Sequence, residues 1–345
     1  MAARGRNVRG LWIHAGLSAV ALALLAYAVW TNRGKLAEAL QGPFDGRFWR
    51  LVGLAFAVYL AALTTSFLRW FTLVRALGLP FRLRDALRLG FIGNVFNLVI
   101  PGAVGGDLIK AAFLCREQSR KTQAVASMFI DRALGLLGLF LLAGASGAFA
   151  WAEAPDQARR LIVLVWLAVL LGVAGLGVLF TPALYRPLNQ RLKGRGRLET
   201  IVVELETMAS AYRDRLGTVL GALAMAVAGH SMLVVAFYAM SLALFRGHVP
   251  SLADHFLLVP LTLFTTAVPL PFGALGVSEQ ASQQLFDMVR HPKGAVAMMG
   301  FRVLMYAGGL VSALVYLVNL NQVRTLKETV REQPEPELLP SGSPP

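Results

Sequence analysis

A chain of 345 residues that is 56% apolar and only 15% charged, with a mean hydropathy of +0.60, is composed as an integral membrane protein and not as a soluble one. Its 33 basic and 19 acidic side chains leave a formal charge of +14, but the bases lie between apolar runs, which points to anionic lipid headgroups and orientation in a bilayer and away from nucleic acid. One cysteine, Cys115, excludes an intrachain disulfide and a cysteine-based metal centre.

A window of about 20 residues, the length that crosses ~30 Å of hydrocarbon as a helix, finds six full spans: Leu11–Trp30, Leu51–Phe71, Ala124–Ala150, Leu161–Phe180, Gly217–Phe245 and Gly294–Leu320. The first follows Arg4, Arg6 and Arg9 and contains Ala26-Tyr27-Ala28, so a cleaved signal peptide is the alternative there; its length favours a span. Two further apolar stretches, Leu89–Leu114 and His255–Val289, are interrupted at Pro101-Gly102 and at Pro269-Leu-Pro271-Phe-Gly273. Proline removes a donor and blocks the helix, so each stretch is expected to be two half-helices meeting at membrane depth. The expected fold is an all-α polytopic bundle: about six spans plus two broken re-entrant hairpins over residues 1–320. The loop Thr181–Leu216 is expected to be a basic turn followed by a surface helix, either a solvated cytoplasmic connection or a lipid-headgroup contact, and the Pro/Glu/Ser-rich residues 321–345 a disordered tail.

Loops on one side of this arrangement hold 21 Lys and Arg against 9 on the other, which sets both termini in the cytoplasm and brings the first hairpin in from the cytoplasm and the second from outside. Pro101 to Arg132 and Pro271 to Arg302 are both separations of 31 positions, and the spans around them recur after about 170 residues. An inverted repeat over 11–150 and 161–320 follows as an expectation, an arrangement common among transporters.

The candidate site residues lie in the two hairpins and the spans after them. Asn94 and Asn97 share a helical face before Pro101; Gly105, Gly106, Asp107 and Lys110 follow the break, where a half-helix starting near Gly106 would offer free N–H groups to an anion. The second hairpin offers Pro271, Gly273, Gly276 and Glu279. Asp107 and Glu279 are either coupling carboxylates or helix caps. Arg132 and Arg302 lie about 10–12 Å inside their spans, where an unpaired guanidinium costs on the order of 3 kcal/mol or more. Each needs an anion: either an internal carboxylate, Asp107 and Glu279 respectively, or the phosphate of a substrate that competes with it. With the two arginines in opposite halves of the bilayer, a lipid phosphate could pass from one to the other. His230, deep in its span, is either a proton-relay residue or a histidine bonded to a neighbouring helix, and a lone histidine favours the second.

The Pro101-Gly-x-x-Gly105-Gly106-Asp107 segment, Asp131-Arg132, and Pro269-Leu-Pro271-Phe-Gly273-Ala-Leu-Gly276-Val-Ser-Glu279 together resemble the flippase-like membrane domain of lysylphosphatidylglycerol synthases and its stand-alone relatives, over about residues 10–320. Where family members carry Gly-Glu then Arg, this chain has Gly106-Asp107 then Lys110, and Asp131-Arg132 stands for Glu-Arg, so a headgroup preference does not transfer. The resemblance implies a bacterial cell membrane and a lipid substrate. With 25 residues after Leu320, aminoacylation is not expected. No metal or cofactor is called for, and no catalytic constellation is evident. The expected function is movement of an anionic, phosphate-bearing lipid between leaflets; the alternatives are a membrane enzyme acting on a lipid phosphate and a non-transporting scaffold.

Overall fold

The computed structural model of the protein describes residues 26–319 apart from 28, 43, 100–105, 108–109, 112, 115–119, 153–155, 182, 184, 195 and 268–273. Its described elements are helices: α1 (Arg33–Leu40), α2 (Gly46–Ala76), α3 (Leu83–Val99), α4 (Lys121–Phe149), α5 (Asp156–Leu179), α6 (Tyr185–Leu192), α7 (Arg197–Asp214), α8 (Leu216–Leu244), α9 (Leu252–Ala267), α10 (Val277–Asp287) and α11 (Gly294–Val318). Gly106, Asp107, Lys110, Ala111, Phe113 and Leu114 are also helical. Five of these helices, α2, α4, α5, α8 and α11, are long and apolar enough to cross a membrane, and α9 is a shorter apolar helix. The molecule is a polytopic helical membrane bundle, and these five helices coincide with five of the six expected spans. The greater part of Leu11–Trp30, the breaks containing Pro101, Gly105, Pro271 and Gly273, and the tail 321–345 lie outside the described residues.

Long-range contacts define two faces of the bundle. On face one, Tyr212 Oη donates to the Leu73 carbonyl and Arg215 to the Ala76 carbonyl, joining the end of α2 to the start of α8. On face two, Arg246 after α8 pairs with Asp45 at 2.6 Å, and Asp45 caps α2 by accepting from the Phe48 N–H. Helices α2 and α8 are thus antiparallel. The start of α4 is on face one, where the Gln123 N–H donates to Glu204 of α7; the start of α11 is on face two, where His291 lies 5.3 Å from the Phe245 ring. Helix α3 packs on α11, and α9 packs on α4.

Helix α7 departs from the solvated connection expected of it. Val202, Met208, Ala209 and Tyr212 are buried, because its apolar stripe docks among α2, α4 and α8. The expected surface helix is kept on its outward side, where Ile201, Val203, Thr207 and Arg213 are exposed, and the turn before it has Gly194 and Gly196 at positive φ values of 81° and 56°, with Glu199 accepting from the Gly194 N–H. Two apolar clusters form the interior. One, towards face two, centres on Phe237, Phe286 and Phe301; the other, towards face one, on Trp70, Leu73 and Tyr212. Helix α5 packs on α4 and exposes Leu164, Leu167, Leu170 and Leu171 outward, as a lipid-facing helix does.

Candidate functional site

Each hairpin presents a carboxylate to the arginine of the span that follows it. In the first, Arg132 Nε of α4 donates to Asp107 Oδ2; in the second, Arg302 Nε of α11 donates to Glu279 Oε1 at 2.6 Å. Both internal pairs weighed for the arginines are formed. Their surroundings differ: side-chain exposure is 5% and 0% for Arg302 and Glu279, against 40% and 21% for Arg132 and Asp107.

Glu279 is both cap and counter-ion. Gly276 sits at φ 82°, a conformation that favours glycine, and its N–H donates to Glu279 Oε2 at 2.7 Å; Ser278 Oγ donates to the same oxygen at 3.0 Å. Arg302 Nη2 in turn donates to Ser278 Oγ, so the pair is dry and saturated with hydrogen bonds. Breaking such a pair costs more than forming it gains, because the carboxylate left behind is buried.

In the first hairpin one of the N–H groups expected to be free near Gly106 is already taken. The Gly106 N–H donates to Asn97 Oδ1 at 2.8 Å, so Asn97 of α3 caps the helix beyond the break. The two limbs cross at glycine: a Cβ on Gly106 would lie 2.1 Å from the Gly93 carbonyl oxygen. Asn94 turns the other way and donates to Ser312 of α11 at 3.0 Å. Lys110 lies 3.8 Å from Asp107, with its ammonium over the rings of Phe67 and Trp70.

Arg69 is a candidate site residue the sequence reading missed. Counted among the loop bases after Leu51–Phe71, it is buried inside α2 and forms a bidentate pair with Asp131, Nε to Oδ1 at 2.7 Å and Nη2 to Oδ2 at 3.1 Å. Subtracting it leaves the charge bias between the loops intact. Its position within the predicted span, with Asp131 already noted beside Arg132, was the available signal.

Arg69, Asn94 and Arg132 line a cavity of about 360 Å³ together with Ser66, His230, Thr266 and apolar residues including Tyr59, Leu63, Leu233, Leu263 and Phe301. Gly135 lets Arg69 reach it: a Cβ there would lie 3.2 Å from the guanidinium. His230 Nε2 lies 3.0 Å from the Gly135 carbonyl, the inter-helical bond expected of it. An apolar cavity with converging guanidinium groups can hold an anionic headgroup whose chains remain in apolar surroundings. Among the described residues no cluster of three or more His, Cys, Asp and Glu is placed to hold a metal ion.

The family model described as lysylphosphatidylglycerol synthase TM region matches residues 11–313. Neither a curated protein nor a solved structure matches the chain.

Proposed function

Because the chain belongs to the lysylphosphatidylglycerol synthase transmembrane-region family, we propose that it moves an anionic, phosphate-bearing lipid between the leaflets of a bacterial cell membrane. The observation that carries this reading is Arg132: held by Asp107, it still keeps 40% of its side chain exposed on the wall of the cavity. A phosphate entering there would exchange places with the carboxylate on the guanidinium fork.

The packing supports an inverted repeat as the frame for this movement. Helix α3 of the first half rests on α11 of the second, α9 of the second rests on α4 of the first, and α2 and α8 run antiparallel between them. In this reading face one is cytoplasmic, since the base-rich loops belong to it, both termini are on that side, and the hairpins enter from opposite faces.

The test is reconstitution into liposomes with fluorescent lipids of differing headgroup. Transbilayer movement of anionic lipid without change in lipid mass is expected; chemical conversion would assign the protein to enzymes of lipid phosphate instead. Arg132→Gln should abolish movement, and Arg132→Lys should restore it only in part because the fork is lost. Recovery of both stability and movement in Arg132→Gln/Asp107→Asn would refute a phosphate contact at Arg132.

A further inference from the structure

Arg69 has more to donate than Asp131 accepts. A guanidinium carries its N–H donors in a planar fork, two of them on each Nη. Asp131 accepts from Nε at 2.7 Å and from Nη2 at 3.1 Å; the other N–H groups, those on Nη1 among them, meet no acceptor among the described residues. The side chain is only 9% exposed, and it lines the cavity. Unpartnered donors on a buried arginine call for an acceptor. Gly135 of α4 makes room for this edge of the fork, since a Cβ there would lie 3.2 Å from Nη2 and 3.3 Å from Nη1.

Ser66 stands one turn before Arg69 on α2 and lines the same cavity. The neighbouring Thr64 and Thr65 donate their hydroxyls to carbonyls one turn back, those of Leu60 and Ala61, each at 2.9 Å. The Ser66 hydroxyl makes no such bond and has no partner among the described residues. A serine hydroxyl and the open edge of a guanidinium are thus held on one face of one helix, toward one cavity.

We infer that Ser66 and Arg69 are the fixed anchor of this cavity, donating to the oxygens of a phosphate ester, and that Arg132 is its exchangeable contact. The two arginines differ in what a ligand must displace. At Arg132 a phosphate takes the place of Asp107, whereas at Arg69 it accepts from donors that Asp131 leaves over, and Asp131 stays to hold the fork in position. No ion pair is broken on arrival, and the donors are preorganised. The inference rests on the cavity being the headgroup site proposed above.

The full-length protein in phosphatidylcholine nanodiscs would be titrated with fluorescent phosphatidylmethanol, a phosphodiester lipid with no further polar group beyond the phosphate. Ser66→Ala should weaken binding about tenfold, the loss of one hydrogen bond to a charged group, at an unchanged unfolding temperature. Arg69→Gln/Asp131→Asn, which removes the pair without stranding a charge, should weaken binding more than Arg132→Gln/Asp107→Asn does. An unchanged affinity in Ser66→Ala, or an equal or greater loss in the Arg132 variant, would overturn the inference; Ser66→Ala decides even if the Arg69 variant does not fold. An Arg69 that served the fold alone would show itself as a lowered unfolding temperature with unaltered affinity. Displacement by dimethyl phosphate as effectively as by lipid would support the anchor and identify a free phosphodiester as its ligand. Binding that depends on Ser66 without transbilayer movement would defeat the translocation reading alone, and movement undiminished in Arg69→Gln/Asp131→Asn would defeat this inference alone.

Discussion

At the scale of single residues, the two arginines occupy matching places and carry different loads. Arg302→Gln strands Glu279 in a site with 0% exposure, so it should destabilise the fold by about 3–5 kcal/mol. Arg132→Gln leaves Asp107 at the edge of a cavity, and its stability cost should be about 1 kcal/mol, since partial exposure screens the pair. Thermal unfolding of both variants in detergent checks the ranking, and Arg302→Gln/Glu279→Gln should recover most of the loss. Equal destabilisation by the two single variants would contradict the contrast in burial. His291, between α10 and α11, gives the fold a pH dependence. Burial, followed by the nearby His255, His248 and Lys293, lowers its pKa to about 4 from 6.5. The unfolded chain therefore binds the proton first: full stability is present above pH 6.5 and is lost progressively as pH falls from 6.5 towards 4. His291→Leu should flatten the unfolding temperature across that window; an unchanged slope would remove His291 as its source.

At the scale of elements, helix contacts are made at glycines that the structure separates into two kinds. A Cβ on Gly294 would lie 2.3 Å from the Ser282 carbonyl oxygen and 2.7 Å from Phe286 Cβ, so Gly294→Ala should push α10 off α11 and cost about 1–3 kcal/mol. Gly221, inside α8, would meet nothing within 4 Å, and Gly221→Ala should be neutral or stabilise by up to about 1 kcal/mol. Unfolding temperatures that move alike in the two variants would show that close approach is not what Gly294 serves. The spans themselves were legible because twenty apolar residues admit one solution in a bilayer. The docking of α7 was less so: Val202, Leu205, Met208, Ala209 and Tyr212 form a helical stripe, but it is interleaved with Glu204, Glu206 and Thr207, and only the fold says what covers it. Arg69 was obscured for a similar reason, since an arginine near a span's end reads as a snorkelling anchor until its partner on another helix is known. Asn97 capping Gly106 depends on the hairpin closing across nine positions, which no local pattern announces.

At the scale of the whole molecule, the faces defined by contacts make the orientation testable. Lys121 on face one and Pro292 on face two are both exposed, so Lys121→Cys should react with an impermeant thiol reagent from the cytoplasm and Pro292→Cys from outside. Reaction of both from one side would end the inverted arrangement. The helical membrane bundle was readable from the apolar runs, whereas the unequal burial of the two carboxylate–arginine pairs was not, because it depends on which other helices cover each pair. The clasp of Tyr212 on the Leu73 carbonyl closes a separation of 139 residues. A ribosome adding about 5–20 residues per second needs roughly 7–28 s to make that length. Throughout that interval the last turn of α2 is already in the membrane with its carbonyls awaiting Tyr212 and Arg215, so the newborn first half is an unfinished intermediate, and a chain truncated before α7 should be a substrate for membrane quality control and not a functional half-protein.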